Sequence, residues 1–569
     1  MSADRLKLLM EKIQARKQLS PDLNQAANEI QESKKDLSDM QYNEQQQDAI
    51  DTILSGKSCI ITGAAGSGKT TTIRAAMQKL MLANKIGPLK ESDHKWIQGG
   101  MLDVACVSFT NKAVQNLKKA LPADMHSNCI TIHKLLEYAP VFFEEFDPST
   151  GNNKKTMRFE PSRHAMRPLP KLVILMIDES TMVSVDLWNT VAKAVSHIPQ
   201  VVLVGDIHQL PPVFGKSIFI HAMQLGAKTV ELTHIYRQAL ESPIIYLAHR
   251  IRSGKQIPAP EFPDFNKDTP AGKVFIRPWK KKLGEAAAIK VIQMLFPELI
   301  DSGQYNPLED VILTPFNKAF GTVIMNTAIA THLAKIETDP EKKLVWEIYS
   351  GIKKCYFRIG DKVLHNKSEA FITKIERNFA YYGKLPRDPS ITMDYSGIES
   401  NPEKRLEDAG RPKHGGMESV EDIDNMLHHF NSHTEEADKV SREASHKITV
   451  WNPDLDSEQV LTSSGEIGAL DLGYAITVHK SQGSEYNRVF FITHHTQAIM
   501  WYRELLYTAV TRAAKELYVI CESNFFVKGI VTQRIPGDTL EEKIISFNRT
   551  LELSKTGKDE IPLRCDLLV

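Results

Sequence analysis

Ile61-Thr62-Gly63-Ala64-Ala65-Gly66-Ser67-Gly68-Lys69-Thr70 decides how the rest of this chain is read. Gly63, Gly68, Lys69 and Thr70 fall in the G-x-x-x-x-G-K-[ST] spacing of a phosphate-binding loop. Glycines let a backbone wrap closely round phosphates, so that successive N–H groups and a helix N-terminus face negative charge. Gly63, Ala64, Gly66, Ser67, Gly68, Lys69, Thr70 and Thr71 are therefore the expected cradle for a nucleoside triphosphate, with ATP the expected ligand. Lys69 is expected to reach the outer phosphates, and Thr70 to offer its hydroxyl to Mg²⁺. Residues 58–62 read as a short apolar strand and 71–82 as a helix, so strand, loop and helix come in the required order. A glycine-rich turn that meets the pattern by chance is the alternative, and the motifs that follow weigh against it.

Further along, residues 172–177 form an apolar run that ends in Asp178-Glu179. Asp178 is placed to hold Mg²⁺, directly or through water, and Glu179 to polarise the attacking water. In isolation, an acidic pair at an ordinary helix N-terminus would look the same, because the helix dipole favours it. A third strand, 201–204, leads into Gly205-Asp206-Ile207-His208-Gln209-Leu210-Pro211-Pro212, where the Gln209 amide can sense the γ-phosphate. The combination is far more specific than either piece.

The chain has 569 residues, about four domains at roughly 150 residues each. Lys plus Arg and Asp plus Glu are equal at 70 each, so any nucleic-acid binding must come from a local groove rather than a global basic excess. The six cysteines are scattered with no C-x-x-C pair, which suggests neither a zinc site nor a disulfide framework. No apolar signal core and no membrane-length apolar run are seen. The expectation is a soluble protein of a reducing cytoplasm, bacterial or that of a phage host, with no membrane partner.

Alternating apolar runs and helical patterns imply parallel sheets covered on both faces. The expected fold is α/β, with two parallel-sheet lobes, an inserted β-hairpin and an inserted small β-rich domain. Residues 1–40 read as a charged helical extension, either a partner-binding arm or a solvated segment. The first lobe is expected over 41–232, with a hairpin insertion at 138–168, and the second over 233–355 and 471–529. Between its two parts lies a β-rich insertion, 356–470, with a charged excursion near 400–445. A C-terminal helix and tail are expected over 530–569, the helical stretch being 540–553. Within the hairpin insertion, Phe142 and Phe143 are candidate stacking partners for a base at a strand junction, against the alternative that they pack in the hairpin's base. Trp279-Lys280-Lys281-Lys282 reads as either an aromatic and basic DNA contact or a solvated charge run.

Taken in order, these motifs resemble superfamily 1 helicases of class B, most like the Dda-like and RecD-like groups, and the resemblance runs from about residue 42 to 520. Tyr42-Asn43-Glu44-Gln45-Gln46 is similar to the Q motif, which implies that Gln46 recognises adenine. Ser108-Phe109-Thr110-Asn111-Lys112-Ala113 and Thr131-Ile132-His133 resemble motifs that touch single-stranded DNA, and imply such roles for Thr110, Lys112 and His133. Thr233-His234-Ile235-Tyr236-Arg237-Gln238 looks like motif IV and implies that Arg237 contacts the γ-phosphate. Residues 474–485 resemble motif V, which implies DNA roles for Thr477 and His479 and nucleotide-side roles for Gly483 and Glu485; Asn317 is a further implied DNA contact. Residues 506–512 resemble motif VI, ending in Arg512.

Arg237 and Arg512 stand at what read as starts of helical patterns in or bordering the second lobe, where in cis arginine fingers belong; out of context each would read as a surface arginine paired with carboxylates. His133 and His479 lack partners at metal-ligand spacing. The resemblance implies an ATP- and Mg²⁺-dependent DNA helicase that moves 5′→3′ on single strands, unwinding forked duplexes or displacing proteins in replication, recombination or repair. The termini or the inserted domain are its expected contacts with a replication or recombination protein. Two other readings stay open: an ATP-driven, nucleic-acid-bound remodelling factor with little unwinding, and an RNA-directed helicase of the same superfamily.

Overall fold

A computed structural model of the chain describes residues 42–83, 85–86, 104–147, 152–197, 199–212, 215–235, 241–279, 283–318, 320–350, 353–365, 368–382, 443–453 and 456–546, without the side chains of 140, 142–147, 152–159, 380 and 382. The expected extension at 1–40, nearly all of the charged excursion and the tail beyond 546 lie outside the described residues.

The first lobe is a six-stranded parallel sheet in the order β3-β2-β6-β7-β1-β8. Its strands are β1 (Cys59–Gly63), β2 (Val104–Ser108), β3 (Cys129–Thr131), β6 (Ile174–Ile177), β7 (Gln200–Gly205) and β8 (Thr229–Leu232). Strand side chains alternate between faces, and the core divides accordingly. Ile60, Leu175, Ile177, Val201 and Leu203 enter one apolar cluster with Trp188 and Phe219. Ile61, Ile174, Met176, Val202 and Val204 enter another, with Ile50 and Met77. Because both faces are buried, the central strands carry continuous apolar runs and are legible as such. The edge strands β3 and β8 escaped the sequence reading, one for its three residues and the other for its polar–apolar alternation, Thr-Val-Glu-Leu.

Two strands, β4 (Tyr138–Asp147) and β5 (Asn152–Pro161), form the expected hairpin, with Phe142 opposite Met157 and Phe143 opposite Thr156. Its base is braced by Glu137, a left-handed residue at φ 51°, whose carboxylate pairs with Arg163 at 2.5 Å and Arg167 at 3.1 Å.

The second lobe repeats the design in the order β19-β11-β20-β21-β10-β9, parallel except for the antiparallel edge β9 (Lys267–Thr269). Its other strands are β10 (Gly272–Pro278), β11 (Val311–Thr314), β19 (Ala475–Thr477), β20 (Tyr486–Ile492) and β21 (Ala513–Cys521). Val311, Leu313, Val489 and Phe491 face one cluster, while Ile312, Phe490 and Ile492 face the other.

The inserted unit is antiparallel. β14 (Lys362–His365), β15 (Ser368–Arg377), β16 (Glu443–Asn452), β17 (Ser457–Ser463) and β18 (Asp471–Leu472) form one sheet, and β12 (Trp346–Ser350) pairs with β13 (Lys353–Phe357) beside it. Its β-structure therefore begins at Trp346, and the expected boundary at 356 falls inside β13, because Ile348, Cys355 and Phe357 belong to the unit's own core. Gly360-Asp361-Lys362-Val363 fastens it to the second lobe. Asp361 accepts from Arg358 at 2.7 Å and from the Tyr474 hydroxyl at 2.9 Å, and Lys362 Nζ reaches Glu369 at 3.0 Å and the Asp310 carbonyl at 3.2 Å. All four side chains of this knot, Arg358, Asp361, Lys362 and Tyr474, are buried.

The C-terminal segment crosses between lobes. The helix Phe525–Val531 packs in the second lobe through Phe525, Phe526 and Ile530. Beyond it, Ile535, Leu540 and Ile544 pack against the first lobe's core. The expected helix starts at 540 and is described as far as 546. Breaking one partner of a buried ion pair strands the other charge, at a cost of about 3–5 kcal/mol. Asp361→Ala should therefore lower unfolding free energy by about that amount, read from the urea transition of the full chain.

Candidate nucleotide site and interlobe seam

Following β1, the loop turns through Gly66 at φ 79° and Gly68 at φ 85°, left-handed values that suit glycine, before the helix Lys69–Leu82 begins. A Cβ on Gly63 would collide with Ser67 Oγ and approach Leu232 Cβ to 3.0 Å, so β1 leaves the sheet with no room for a side chain there. Lys69 is folded back, donating from Nζ to the carbonyls of Gly63 at 2.6 Å and Ala64 at 3.1 Å. Thr70 is exposed in the first helical turn and Thr71 is half-buried. Ser67 Oγ is buried without a hydrogen-bond partner among the described residues.

Asp178 and Glu179 stand at the carboxyl end of β6, with the Asp178 N–H bonded to Val107 O at 2.9 Å. Glu179 is held at φ 51°, ψ 38°, a strained conformation that turns the chain sharply from strand into the 3₁₀ turn Ser180–Met182. Burial, reinforced by the neighbouring Glu179 charge, pushes the Asp178 carboxyl up to about 7, against the opposing pull of the Glu179 N–H and Lys69. Next in the sheet, β7 ends at the Asp206–Leu210 turn, where Gln209 is buried and its carboxamide oxygen has no partner among the described residues. Loop, acid pair and Gln209 turn thus sit at the ends of three adjacent strands, β6, β7 and β1. The unpartnered Ser67 hydroxyl, able to donate, fits a phosphate oxygen, the unpartnered Gln209 Oε1, an acceptor, fits a water, and Gly63 leaves no room for a side chain between them and the sheet.

Gln46 is buried in the helix Glu44–Leu54, where its Oε1 accepts from the Asn43 N–H at 3.2 Å and Asn43 Oδ1 accepts from Gln46 N–H at 2.8 Å. That capping box fixes the start of the helix. Gln45 next to it ties the helix to Thr233 through bonds of 2.7 and 2.9 Å.

The second lobe meets this edge through motif V and motif VI residues. Gly483, at φ 72°, approaches the first lobe so closely that a Cβ would lie 2.9 Å from Ala113 Cβ and 3.0 Å from Thr110 Oγ1. Asn116 Nδ2 donates to Gly483 O at 3.3 Å, and Gln482 Nε2 to Leu210 O at 2.8 Å. Leu210 N donates to Thr508 Oγ1 at 3.0 Å. Tyr507 donates to Asp206 Oδ2 at 2.7 Å and accepts from Ala65 N–H at 3.0 Å. Glu485 is exposed. Arg512 lies beyond the C-terminal end of the helix Arg503–Val510, not at a helix start as its sequence pattern suggested, because β21 begins directly after it. Its buried guanidinium donates to Ser484 O at 3.1 Å, Thr508 O at 3.1 Å and Thr511 Oγ1 at 3.2 Å. Arg237 lies outside the described residues.

The expected DNA contacts occupy strand ends of both lobes. Thr110 caps the helix Asn111–Ala120, accepting from Ala113 N at 3.2 Å, and Lys112 is half-buried in that helix's first turn. His133 packs edge-on between Phe109 at 5.4 Å and Tyr138 at 5.1 Å, joining motif Ia to the hairpin's first residue. In the second lobe, Thr477 accepts from Lys480 N at 3.3 Å, and Asn317 is exposed, its Oδ1 accepting from Thr322 at 3.1 Å. Burial, and then the Arg534 charge, lowers the His479 imidazole below its usual range, which keeps it neutral. The side chains of Phe142 and Phe143 lie outside the described residues. Trp279 is no surface contact: it is buried and donates from Nε1 to Thr493 O at 2.9 Å, while Lys280 to Lys282 lie outside the described residues. His494, His495 and Glu522 bring potential metal-ligating atoms within 4.8 Å of one another, but both ring nitrogens of His494 are engaged, with Thr496 and with Leu283 O, and His495 Nδ1 faces Glu522 at 3.1 Å. Asp206, Tyr507, Thr508 and Gln482 received no role from the sequence; their only signal was membership of the quoted motifs.

Fold and site define a two-lobed P-loop protein with its phosphate-loop motif and Gln209 turn on the edge where the lobes meet. A family profile described as an AAA domain matches residues 41–264, and one described as a UvrD-like helicase C-terminal domain matches 472–520. The chain is 25% identical over 476 residues to the ATP-dependent RecD2 DNA helicase of Deinococcus radiodurans, covering 84% of this chain and 48% of that protein. To the RecD subunit of the RecBCD enzyme of Mycobacterium tuberculosis it is 24% identical over 494 residues, covering 84% and 69%. The chain therefore spans about half the length of the RecD2 relative. Among solved structures it is similar to Pif1 helicase from Candida albicans at 16% identity and TM-score 0.38, covering 90% of this chain and 100% of that one. It is also similar to Bacteroides Pif1 in complex with ADP-AlF3 and single-stranded DNA, at 16% identity and TM-score 0.43, covering 91% and 99%. The ordered motifs and the matched relatives agree in likeness: the chain is similar to RecD-type helicases over most of its length.

Asp178 supplies a test that needs no nucleotide. Its folded-state carboxyl titrates near 7 against an unfolded 3.8, so its contribution is fully present below 3.8 and is lost as pH rises through about 7. Asp178→Asn, which removes the charge, should melt at a higher temperature than the parent at about pH 8, and the margin should shrink as pH falls toward 4. A margin that stays constant with pH would mean that the carboxyl is not perturbed.

Proposed function

We propose that this protein is an ATP-dependent DNA helicase that translocates on single strands, and that the nucleotide is hydrolysed in the cleft between the two lobes. The observation that carries this reading is the meeting of the phosphate loop and the Asp206–Leu210 turn with Gln482, Tyr507 and Thr508 of the other lobe. A nucleotide held by one lobe then bears on the other, so that turnover alters the relation between two DNA-gripping edges. No helix among the described residues is long and apolar enough to cross a membrane.

In this mechanism Lys69 leaves the carbonyls of Gly63 and Ala64 for the outer phosphates, replacing two neutral acceptors by a charged one. Glu179 receives a proton from the attacking water at its carboxylate, and the Gln209 oxygen accepts that water's other hydrogen, which orients it. Thr70 and Asp178 are the groups suited to Mg²⁺, which when bound neutralises charge developing on the phosphates. Arg512, and Arg237 with it, stabilise the charge on the transferred phosphoryl, a role worth on the order of 10³ to 10⁵ in rate in nucleotidases. Gln46 is assigned to adenine. Thr110, Lys112, His133, Asn317, Thr477 and His479 are assigned to the strand, with Phe142 or Phe143 a base-stacking wedge at the junction.

Movement is proposed to run 5′→3′, the polarity implied by class B. ATPase stimulation by single-stranded DNA against RNA, followed by unwinding of duplexes with a 5′ or a 3′ tail, tests the whole reading. DNA stimulation and unwinding from the 5′ tail are expected. Stimulation by RNA alone would favour an RNA-directed enzyme, and unwinding solely from the 3′ tail would reverse the polarity. Glu179→Gln should lower turnover by about 10²-fold or more while ATP affinity stays within a few-fold, because binding groups remain and water activation is lost. Loss of affinity in equilibrium binding would remove Glu179 from the role of base.

A further inference from the structure

We infer that Tyr507 is a positioning residue that links the phosphate loop to the Gln209 turn through the second lobe, and so couples nucleotide turnover to the strand. Resting on the functional reading above, the inference concerns a residue to which neither the motifs nor the site chemistry gives a part.

Tyr507 lies in the middle of the helix Arg503–Val510, with its ring fully buried in the second lobe's core. Its hydroxyl crosses to the first lobe and uses both of its capacities there. It donates to Asp206 Oδ2 at 2.7 Å and accepts from the Ala65 N–H at 3.0 Å. Ala65 belongs to the phosphate loop. Asp206 is fully buried and organises the turn that carries Gln209: its Oδ1 accepts from His208 N at 3.0 Å, and its carbonyl from Gln209 N at 3.0 Å. The far end of that turn is held by the same lobe, since Leu210 N donates to Thr508 and Leu210 O accepts from Gln482. Burial, and then the Asp206 charge, keeps the phenol protonated, so it remains a donor throughout the working pH range.

The chemical consequence follows from what the hydroxyl touches. A shift of the loop when phosphates enter is transmitted through one oxygen to the carboxylate that shapes the Gln209 turn, and through the helix toward Arg512, five residues on. Removing the hydroxyl leaves the ring's packing intact but takes one donor from a buried carboxylate. Misplacing a water-orienting group costs rate in the chemical step more than it costs ground-state binding.

Tyr507→Phe in the full chain is the test. Steady-state ATPase is measured with and without saturating oligothymidylate, alongside melting temperature. The expected result is a melting temperature close to the parent's, a KM for ATP within about three-fold, a DNA-stimulated kcat lower by about ten-fold or more, and a stimulation ratio falling toward one. Asp206→Asn supplies the second arm of a double-mutant cycle, and the double variant is expected to lose no more than the worse single one. Two outcomes overturn the inference: kcat and stimulation ratio within two-fold of the parent, or losses in the double variant that simply add. A parent whose ATPase is indifferent to DNA would instead count against the helicase reading, and the kcat and the cycle would still judge the contact.

Discussion

Parallel pairing within each sheet is the constraint on which the rest of the molecule depends. In a parallel sheet every strand points the same way, so residues that follow strands in sequence collect along one edge in space. The phosphate loop follows β1, the acid pair β6, Asp206 to Gln209 β7, and Thr233 β8. In the second lobe Asn317 follows β11, and His479 follows β19. Groups separated by hundreds of residues thus become neighbours without long-range chemistry of their own. The cost of parallel pairing is that crossovers must cover both faces, which the four alternating core clusters achieve.

Across the seam between the lobes, the contacts quoted above are mostly single hydrogen bonds, many to backbone atoms: Gln482 to Leu210 O, Asn116 to Gly483 O, Leu210 N to Thr508. Each is worth about 1 kcal/mol net, whereas each lobe has a large apolar core of its own. A seam of this kind is held far more weakly than the interior of either lobe. At Gly483 the lobes approach so closely that a Cβ there would meet Thr110 and Ala113. Thr110 is both the cap of its helix and a seam contact, so the helix start and the seam share one side chain.

Strand cores and the phosphate loop were legible in the sequence because each is written in a contiguous pattern: an apolar run, a glycine spacing, an acid pair after a strand. Edge strands β3 and β8 were not, since an edge needs no continuous apolar run. Nor was the start of the inserted unit at Trp346, where an alternating segment reads equally well as the end of the lobe before it. In the site, the side chains assigned to nucleotide chemistry stand in local motifs, whereas those that bond across the seam carried no signal of their own. Tyr507 and Asp206 are 301 residues apart in sequence, and a single sequence carries no signal for such a pair. Trp279 shows the converse, for an aromatic beside three lysines left both a DNA contact and a solvated charge run open, and only the fold places its indole N–H inside, bonded to Thr493 O.

The C-terminal segment gives the seam a second, different fastening. Glu504, in the same helix as Tyr507, accepts from the N–H groups of Arg534 at 3.0 Å and Ile535 at 3.2 Å, and faces Lys543 Nζ at 3.6 Å with both side chains buried. Arg503 beside it bonds Ile530 O at 2.8 Å and pairs with Asp538. The same segment lays Ile535, Leu540 and Ile544 on the first lobe's core. One end of the helix Arg503–Val510 is thus tied through this strap to the first lobe's apolar face, while its middle touches the phosphate loop through Tyr507. Held at two points on the other lobe, the helix is fixed in orientation as well as in position. The phosphate loop at Ala65, the helix that leads to Arg512 and the C-terminal strap are thus joined in one continuous set of contacts.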